Sequence, residues 1–474
     1  MNFITRRKSI DTLAEGHARL KPTLSWPHLV ALGVGAIVGT GIYTLTGIGA
    51  GLAGPAVILS FALCGVICGC AALCYAEMAT MMPVAGSAYT YSYAVLGELL
   101  AWIVGWSLIL EYTVAAAAVG VGWSAHVAEF IQAAGWPVPM ALLQGFEAGG
   151  LVNLPAVIIS ALVTLLLVIG TRESATVNLV LVVVKLSALV LFVVLALPSF
   201  DHARFHPFAP YGYGAHLDAD GATRGVLAAA ALIFFAFYGF DTVSTASEET
   251  KNPARNLTIG IIGSMVLCTV IYVAVAASAL GAASYLDISR NGAPLVHVLQ
   301  LVHHPVAAQL VAAAAIVALP TVILVLMYGQ SRIFFVLARD GLLPFSASLS
   351  QVSARTGTPV VMTILTGIVV IVLAATLKLD QIALLANAGT LCAFIAVALC
   401  LLILRVRDPG RLRVFRVPFA YIVAPVCIVG CAYLFEAGLP QFTQWWFVLW
   451  NGIGLAIYLV YGARRSNLAR KAAA

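Results

Sequence analysis

At residues 33–43 the sequence reads Gly-Val-Gly-Ala-Ile-Val-Gly-Thr-Gly-Ile-Tyr, about midway along an apolar segment that extends from roughly Trp26 to Leu52. A glycine inside a helix costs about 1 kcal/mol relative to alanine, so this run of glycines indicates a break in the helix. Broken backbone in a bilayer is tolerated only where protein or a polar cavity covers it, and such breaks mark the binding sites of transporters. The alternative is a tightly packed, unbroken helix, because Gly35 and Gly39 also form the small-xxx-small pattern of close helix contacts.

The composition of the chain indicates an integral membrane protein. The 474 residues are 62% hydrophobic and only 9% charged, with a mean hydropathy of +1.02. A soluble fold of this length could not bury so much apolar surface. Residues 1–21 are polar and basic, and the first apolar segment is too long for the core of a signal peptide. The nine cysteines lie in apolar segments without the spacing of a zinc site, so we expect neither disulfides nor a bound metal.

Twelve apolar stretches are long enough to cross the roughly 30 Å core of a bilayer as helices, which predicts an all-α polytopic membrane protein. They are residues 27–52, 54–80, 97–125, 152–170, 175–197, 223–247, 256–280, 306–337, 359–377, 382–405, 417–437 and 442–462. An even number of crossings places both termini on one side. Of the 25 Lys and Arg residues, four lie in the loops of the opposite side, Lys185 lies within the membrane, and the other 20 share the side of the termini. The positive-inside rule therefore predicts cytoplasmic termini.

The twelve spans divide into two sets of five that are inserted in opposite senses, followed by a final pair. The first set covers residues 26–200 and the second covers residues 223–405. Each set begins with an irregular segment, which is the glycine-rich stretch in the first and Phe-Phe-Ala-Phe-Tyr-Gly-Phe-Asp (234–241) in the second. Matching discontinuities in two halves are typical of inverted-repeat secondary transporters. This match favours the broken helix over the packed one.

The segments outside these two sets carry no separate soluble domain. The loops at 198–222 and 281–305 are long enough to hold short helices, and the sequence leaves that open. The predicted divisions are a cytoplasmic N-terminal segment (1–25), an external loop (201–222), a basic cytoplasmic loop (406–416), spans eleven and twelve (417–462) and a cytoplasmic tail (463–474).

Two ionisable side chains fall at the depth of the predicted breaks. An ionisable residue in the middle of a membrane helix costs about 2.5–3.5 kcal/mol and is a functional candidate by default. Glu111 and Lys185 lie about halfway along their spans, level with Gly39 and Phe237. We expect Lys185 to act as a coupling or structural cation, with snorkelling to a membrane surface as the alternative. Glu111 could form an ion pair with Lys185 or line a substrate pocket.

Other acidic residues lie nearer the cytoplasmic side. Asp241 is one turn closer to the cytoplasm than Phe237, so it could belong to an inner gate or cap a helix. Four further acids are predicted at cytoplasmic helix ends, where we expect them at the membrane interface: Glu77, Glu98, Glu248 and Glu249.

No catalytic pattern is visible in the sequence. It contains no HExxH, GxSxG or P-loop motif, which argues against an enzyme and against an ATP-driven pump. We therefore expect no cofactor. The expected partners are a small-molecule substrate and the lipid bilayer, without nucleic acid.

Several motifs together resemble the amino acid–polyamine–organocation superfamily, and in particular its cationic amino acid transporter branch of the bacterial type. The resemblance covers nearly the whole chain. It is carried by Gly33-x-Gly35-x-x-x-Gly39-Thr40-Gly41-Ile42, Gly54-Pro55, Tyr75-Ala76-Glu77-Met78, Pro83-x-x-Gly86-Ser87-Ala88-Tyr89, Gly97-Glu98-Leu99, Gly105-Trp106-x-Leu108-Ile109-Leu110-Glu111-Tyr112, Phe237-Tyr238-Gly239-Phe240-Asp241, Glu248-Glu249-x-x-Asn252-Pro253-x-Arg255-Asn256 and Arg339-Asp340-Gly341-Leu342-Leu343-Pro344.

This resemblance implies a fold, an activity and a location. The fold would be a five-plus-five inverted repeat with two further C-terminal helices. The activity would be uptake of cationic or small neutral L-amino acids, or both, driven by a proton gradient through alternating access. An amino acid exchanger and a non-transporting nutrient sensor are the alternatives. The protein would lie in a bacterial inner membrane as a monomer or weak oligomer, and a small membrane subunit is left open.

The resemblance also implies roles for individual residues. Backbone N–H groups around Thr40 and Gly41 would bind the substrate carboxylate, as freed amides at the start of a half-helix attract an anion. Carbonyl groups of both breaks would bind the α-ammonium group, and Phe237 would cover the substrate. Lys185 would take the place that sodium occupies in sodium-coupled relatives. The predicted substrate site comprises Ile37, Val38, Gly39, Thr40, Gly41, Glu111, Phe234, Phe235, Ala236, Phe237, Met327 and Ser331, with Tyr328 beside the last two; Phe237 and Asp241 form the predicted gate.

Overall fold

The computed structural model describes residues 6–10, 24–84, 86–133, 135–169, 175–218, 221–247, 250–349, 351 and 360–473, and most of them are helical. Of the predicted features, Glu248, Glu249 and most of the N-terminal segment lie outside the described residues.

The described chain consists mainly of helices joined by turns and loops, with one small hairpin. The helices are α1 (Trp26–Ile37), α2 (Thr40–Tyr43), α3 (Leu45–Ala53), α4 (Val57–Met81), α5 (Ser87–Val95), α6 (Glu98–Ala133), α7 (Leu154–Ile169), α8 (Ala175–Ala196), α9 (Val226–Ile233), α10 (Thr242–Thr245), α11 (Pro253–Ala282), α12 (Tyr285–Ser289), α13 (Pro294–Leu301), α14 (Pro305–Arg339), α15 (Ser346–Leu349), α16 (Val360–Thr376), α17 (Leu379–Arg407), α18 (Ala420–Tyr433), α19 (Gln441–Ile457), α20 (Ala463–Arg465) and α21 (Asn467–Ala473). The strands β1 (His216–Leu217) and β2 (Thr223–Arg224) pair antiparallel.

Membrane-spanning helices dominate the fold, as the composition predicts. Among the described residues, nine helical stretches are long and apolar enough to cross a membrane. Three shorter apolar helices accompany them, namely α1, α7 and α16. A bilayer offers no water to the backbone, so the polar main-chain groups of such segments must be paired within helices. The all-α membrane fold is therefore confirmed, while the count of twelve crossings stays a prediction.

The two long loops contain short elements of their own, which the sequence left open. The first holds single helical turns at Leu197–Ser199 and His202–Phe205, followed by β1 and β2. The second holds α12 and α13. Helix α6 continues about two turns past residue 125, where the apolar pattern placed its end.

Tryptophan side chains fasten the C-terminal helix α19 to α6. The Trp106 and Trp450 rings stack with centroids 4.7 Å apart, and each indole N–H donates to the other residue's carbonyl at 2.9 Å. Trp102 donates to the Gly454 carbonyl at 2.8 Å. Because buried indole N–H groups need a partner, these three bonds fix both the distance and the register of the two helices.

Two glutamates predicted at the membrane interface, Glu77 and Glu98, are instead fully buried within the protein. One oxygen of the Glu77 carboxylate lies 2.6 Å from Arg405, and the other lies 3.0 Å from Arg413. Glu98 accepts hydrogen bonds from the hydroxyls of Tyr93, Tyr458 and Ser466. The prediction was wrong because the basic loop after α17 and the C-terminal segment cover these two helix ends and supply the partners.

Glu77→Ala is expected to lower the free energy of unfolding by about 3–5 kcal/mol, because two buried guanidinium groups lose their counter-charge. Asp408→Ala provides the control, since Asp408 pairs with Arg411 at 3.4 Å and is 44% exposed. That change should cost about 1 kcal/mol or less. Thermal unfolding in detergent measures both. Equal melting temperatures for the two variants would contradict a structural role of the Glu77 cluster.

Candidate functional site

The first apolar segment is broken where the glycine-rich stretch predicts. Helix α1 ends at Ile37, Val38 and Gly39 adopt extended conformations, and α2 begins at Thr40. The carbonyl groups at the end of α1 therefore lose their helical partners. Two of them are bound by side chains from other helices: Lys185 donates to the Gly35 carbonyl at 3.0 Å, and Tyr272 donates to the Ile37 carbonyl at 2.9 Å.

A second break lies in the irregular segment that opens the second half. After α9 the chain forms a tight 3₁₀ turn at Phe234–Phe237, Tyr238 is extended, and Gly239 has φ +112° before α10 begins. This left-handed value favours glycine, which lacks a Cβ. Asn387 of α17 donates to the Ala231 carbonyl at 2.6 Å, which pairs one of the carbonyl groups freed at this break.

The two breaks lie in direct contact. A Cβ atom added to Gly41 would lie 2.5 Å from the Cβ of Ala236, and one added to Gly239 would lie 3.0 Å from the Cβ of Ala36. At each break, a glycine without a Cβ atom thus allows the other break to approach closely. The broken-helix prediction is confirmed.

Lys185 lies at this crossing point and is fully buried. Its ammonium group donates to the Gly35 carbonyl and, at 3.2 Å, to the Thr321 hydroxyl of α14. Its backbone carbonyl accepts a hydrogen bond from Tyr43 at 3.1 Å. The side chain therefore points into the protein, and the snorkelling alternative is wrong. Lys185 joins the end of α1 to α14 and, through its backbone, to α2.

The two predicted acids, Glu111 and Asp241, are close enough to interact with each other. Tyr112 donates its hydroxyl to Asp241 at 2.7 Å, whereas Oδ1 of Asp241 and Oε2 of Glu111 have no hydrogen-bond partner. Asp241 makes no capping bond to α10, so the capping alternative is wrong. Within the described part of the chain Glu111 forms no ion pair, so the pairing with Lys185 is not present and Glu111 instead lies beside Gly389 and Thr390 of α17.

Aromatic residues of the second break pack against three other helices. Phe237 is fully buried and contacts Phe61 of α4 and Tyr272 of α11, with ring centroids 6.3 and 5.3 Å apart. Phe234 packs against Phe394 of α17 at 5.7 Å. Phe235 stacks on Tyr238 at 6.1 Å and is 5% exposed. In this conformation Phe237 belongs to a packed aromatic cluster.

The predicted residues of α14 lie on two faces of that helix. Met327 is 1% exposed and Ser331 is 5% exposed. Tyr328, which is 37% exposed, provides the carbonyl that accepts the Ser331 hydroxyl at 2.7 Å. Met327 and Ser331 are thus buried in the helix bundle with the breaks, whereas Tyr328 faces outward in part.

The described part of the N-terminal segment closes the predicted cytoplasmic end of the bundle. Lys8 forms an ion pair with Asp340 at 2.6 Å, and Tyr89 donates to the same carboxylate at 2.6 Å. Arg6 lies 3.7 Å from Glu98. These contacts tie the segment to α14, α5 and α6.

Near the C-terminal end of α6 there is a cavity of about 420 Å³, which we call the outer cavity. Its lining includes Glu129, Gln144, Arg290 and Lys378, but none of the residues of the two breaks. Residues 36–43 and 234–241 are 5% exposed or less at every side chain for which exposure is given. The arrangement is thus an occluded one, with the crossing point buried from both ends.

Four residues of the crossing point were not predicted from the sequence: Tyr43, Tyr272, Thr321 and Asn387. The sequence offered little indication of them, because a single tyrosine, threonine or asparagine in an apolar span usually forms its hydrogen bonds with nearby backbone groups. Thr321 follows Pro320, whose missing N–H leaves the Ile316 carbonyl without a helical donor. Trp123 donates to that carbonyl at 2.8 Å. A proline inside a long apolar segment was the available clue.

These features define a class of protein. Two interrupted helices that cross inside the membrane, with freed backbone groups and a buried cation between them, are the arrangement of a secondary transporter's central site. Among the described residues, no group of three His, Cys, Asp or Glu side chains is placed to hold a metal ion.

The sequence profile of the amino acid permease family matches residues 24–460, and the chain belongs to this family. It is 41% identical to the branched-chain amino acid permease BcaP of Bacillus subtilis, over 98% of this chain and 99% of the relative. It is 38% identical to the methylthioribose transporter of the same organism, over 99% and 100% of the two chains. Vacuolar cationic amino acid transporter 4 of Arabidopsis thaliana is 36% identical over 86% of this chain and 68% of its own length.

The family membership confirms the predicted superfamily and the prediction that the chain is a transporter and not an enzyme. It is a multi-pass membrane protein whose family acts on small molecules and generally needs no cofactor.

Proposed function

We propose that this protein takes up amino acids together with protons across a bacterial inner membrane, by alternating access around the crossing point of the two breaks. The observation that carries the proposal is the mutual contact of Gly41 with Ala236 and of Gly239 with Ala36. Because the two breaks contact each other, a rotation of one set of helices against the other changes access to both breaks at the same time. Twelve crossings, an inverted repeat of the first ten and cytoplasmic termini complete the proposed architecture.

The substrate backbone binds at the two breaks. The N–H groups at Thr40 and Gly41 begin a half-helix and attract the substrate carboxylate. The Thr40 hydroxyl, which is buried without a partner, is available to the same group. The Ile37 carbonyl already accepts Tyr272, so the α-ammonium group is bound by the carbonyl groups of the Phe234–Phe237 turn. Phe237 leaves its aromatic cluster when the site opens and acts with Asp241 as the gate.

Lys185 couples transport to the proton gradient. A buried lysine amine can lose its proton when it is desolvated. In the charged form Lys185 binds the Gly35 carbonyl and holds α1 in place, and in the neutral form this attachment weakens. Protonation thereby changes how firmly the first break is held, which is the differential interaction that coupling requires.

The substrates are small neutral or cationic L-amino acids, or both. Apolar residues at the site, such as Val38 and Met327, suit an aliphatic side chain, and the relatives at 41% and 36% identity are named for branched-chain and cationic amino acids. Glu111, with one unpartnered carboxylate oxygen, offers a partner for a cationic side chain. The protein works as a monomer or a weak oligomer.

Uptake into proteoliposomes tests the proposal. Labelled leucine, alanine and arginine are each presented with and without an inward proton gradient, and unlabelled competitors include lysine and methylthioribose. We expect accumulation that depends on the gradient and collapses with a protonophore. Uptake that does not depend on the proton gradient but is stimulated by amino acid inside the vesicles would identify the protein as an exchanger. Binding without transport of any compound would assign it as a sensor.

A further inference from the structure

A seam of unpaired polar atoms runs between α2 and α6, away from the first break. At its inner end, Thr40 packs against Gly122, where a Cβ atom would lie 2.7 Å from the Thr40 Cβ. One turn further along both helices, the rings of Tyr43 and His126 meet edge to face with centroids 6.1 Å apart. Thr44 continues the face of Thr40, since its N–H donates to the Thr40 carbonyl at 2.8 Å.

Three polar side chains of this seam lack hydrogen-bond partners. His126 is 1% exposed, yet neither ring nitrogen has a hydrogen-bond partner. The hydroxyls of Thr40 and Thr44 are also buried and unpartnered. A single buried polar group without a partner costs about 1–3 kcal/mol, so three along one seam need an explanation beyond packing. Packing alone would be served better by leucine or phenylalanine at position 126.

The seam connects two places where protons would enter and leave. The outer end of the seam reaches the outer cavity. The lining of that cavity includes Ser124 and Ala125, which come just before His126, and Glu129, which lies one turn after it. On the side of the crossing point, Tyr43, whose ring packs against His126, donates its hydroxyl to the backbone carbonyl of Lys185. His126 therefore lies between the outer cavity and the lysine at the crossing point.

We propose that His126 is a proton-binding group that receives protons from the outer cavity and passes them along the seam to Lys185. The proposal rests on the proton-coupled function proposed above. In the step itself, a hydronium ion in the outer cavity gives a proton to one ring nitrogen and becomes water. The other ring nitrogen releases a proton toward a neutral Lys185 amine, which becomes an ammonium group. Neutral imidazole carries one donor and one acceptor nitrogen, and threonine hydroxyls both donate and accept, so waters between them complete the relay.

The surroundings of the ring favour transient rather than permanent protonation. The titratable groups around it are Tyr43 on α2, Glu129 further out on α6, Arg290 after α12, Lys378 before α17 and Lys185 on α8. No described residue forms a hydrogen bond or ion pair with the ring. A charged imidazolium buried without a partner is unfavourable, so in the occluded state the ring is neutral. It gains a proton when the outer side opens and water enters the seam.

The test compares two transport modes of the same variant. His126→Gln keeps hydrogen-bonding groups of similar size but cannot be protonated, and His126→Phe keeps the ring contact with Tyr43. His297→Gln, a change on the external helix α13, is the matched control. Gradient-driven accumulation and the rate of vesicle acidification report proton movement. Counterflow of labelled substrate at equal pH on both sides reports the substrate site alone. Thermal unfolding in detergent confirms that each variant is folded.

We expect both His126 variants to lose accumulation and acidification by about tenfold or more while counterflow stays within about twofold, since only histidine among side chains titrates near neutral pH without perturbation. His297→Gln should match the wild type in all assays. Wild-type accumulation and acidification in His126→Gln would overturn the assignment, and so would an equal loss of accumulation and counterflow. A wild-type protein that ignores the proton gradient would overturn proton coupling itself, and with it this relay.

Discussion

Lys185→Ala is expected to abolish accumulation of substrate against its gradient. The variant loses the ammonium group that binds the Gly35 carbonyl at 3.0 Å and the Thr321 hydroxyl at 3.2 Å, so nothing in its place responds to a proton at the first break. Accumulation should fall to the level of passive equilibration. A buried carbonyl left without its donor also costs about 1–3 kcal/mol, so the melting temperature should fall as well.

Lys185→Arg separates coupling from simple charge. Arginine keeps a positive charge near the Gly35 carbonyl but stays protonated under all relevant conditions. If proton exchange is the role of Lys185, both variants lose accumulation while counterflow remains measurable in Lys185→Arg. Lys251→Ala, which removes an exposed lysine before α11, controls for the loss of one cation. Full accumulation in Lys185→Ala, or its restoration in Lys185→Arg, would rule out proton exchange at this residue.

The sequence predicts the position of the first break because the cost of glycine in a helix is local. Gly33 to Gly41 weaken the helix whatever surrounds them, and the break at Val38 and Gly39 follows. The second break was predictable for a similar reason, since Gly239 follows a run of bulky aromatic residues. Burial of Lys185 and Glu111 followed from their depth in apolar segments.

The hydrogen-bond partners of these residues could not be predicted in the same way, because the fold brings together residues that are distant in the sequence. Lys185 binds a backbone carbonyl, and every residue carries one, so no side-chain pattern reveals Gly35 as the acceptor. Tyr112 and Asp241 meet across 129 positions of the sequence. Glu77 was expected at the interface because the basic loop that covers it reads as solvent-exposed. The sequence therefore predicts which residues lie deep in the apolar segments, but not which residues they contact.

Gly41→Ala is expected to reduce the initial rate of transport by about tenfold or more, because the added Cβ would lie 2.5 Å from the Cβ of Ala236 and 3.1 Å from its backbone nitrogen. Overpacking of this kind costs about 1–3 kcal/mol, and here one side of the clash is main chain that no rotamer change can move. Either α2 or the Phe234–Phe237 turn must shift. Both carry the amides and carbonyl groups proposed to bind the substrate backbone.

Two other glycines make this result specific to the contact between the breaks. Gly39→Ala changes the neighbouring position, where a Cβ atom would find Val322 at an ordinary 3.7 Å, so its loss should be clearly smaller than that of Gly41→Ala. Gly69→Ala adds a methyl group with no heavy atom within 4 Å and should transport at the wild-type rate. Initial rates, with substrate-induced shifts in melting temperature as the measure of binding, decide the matter. A Gly41→Ala protein with wild-type rates would mean that the two breaks need not touch during transport, since the methyl group leaves no room for the observed contact.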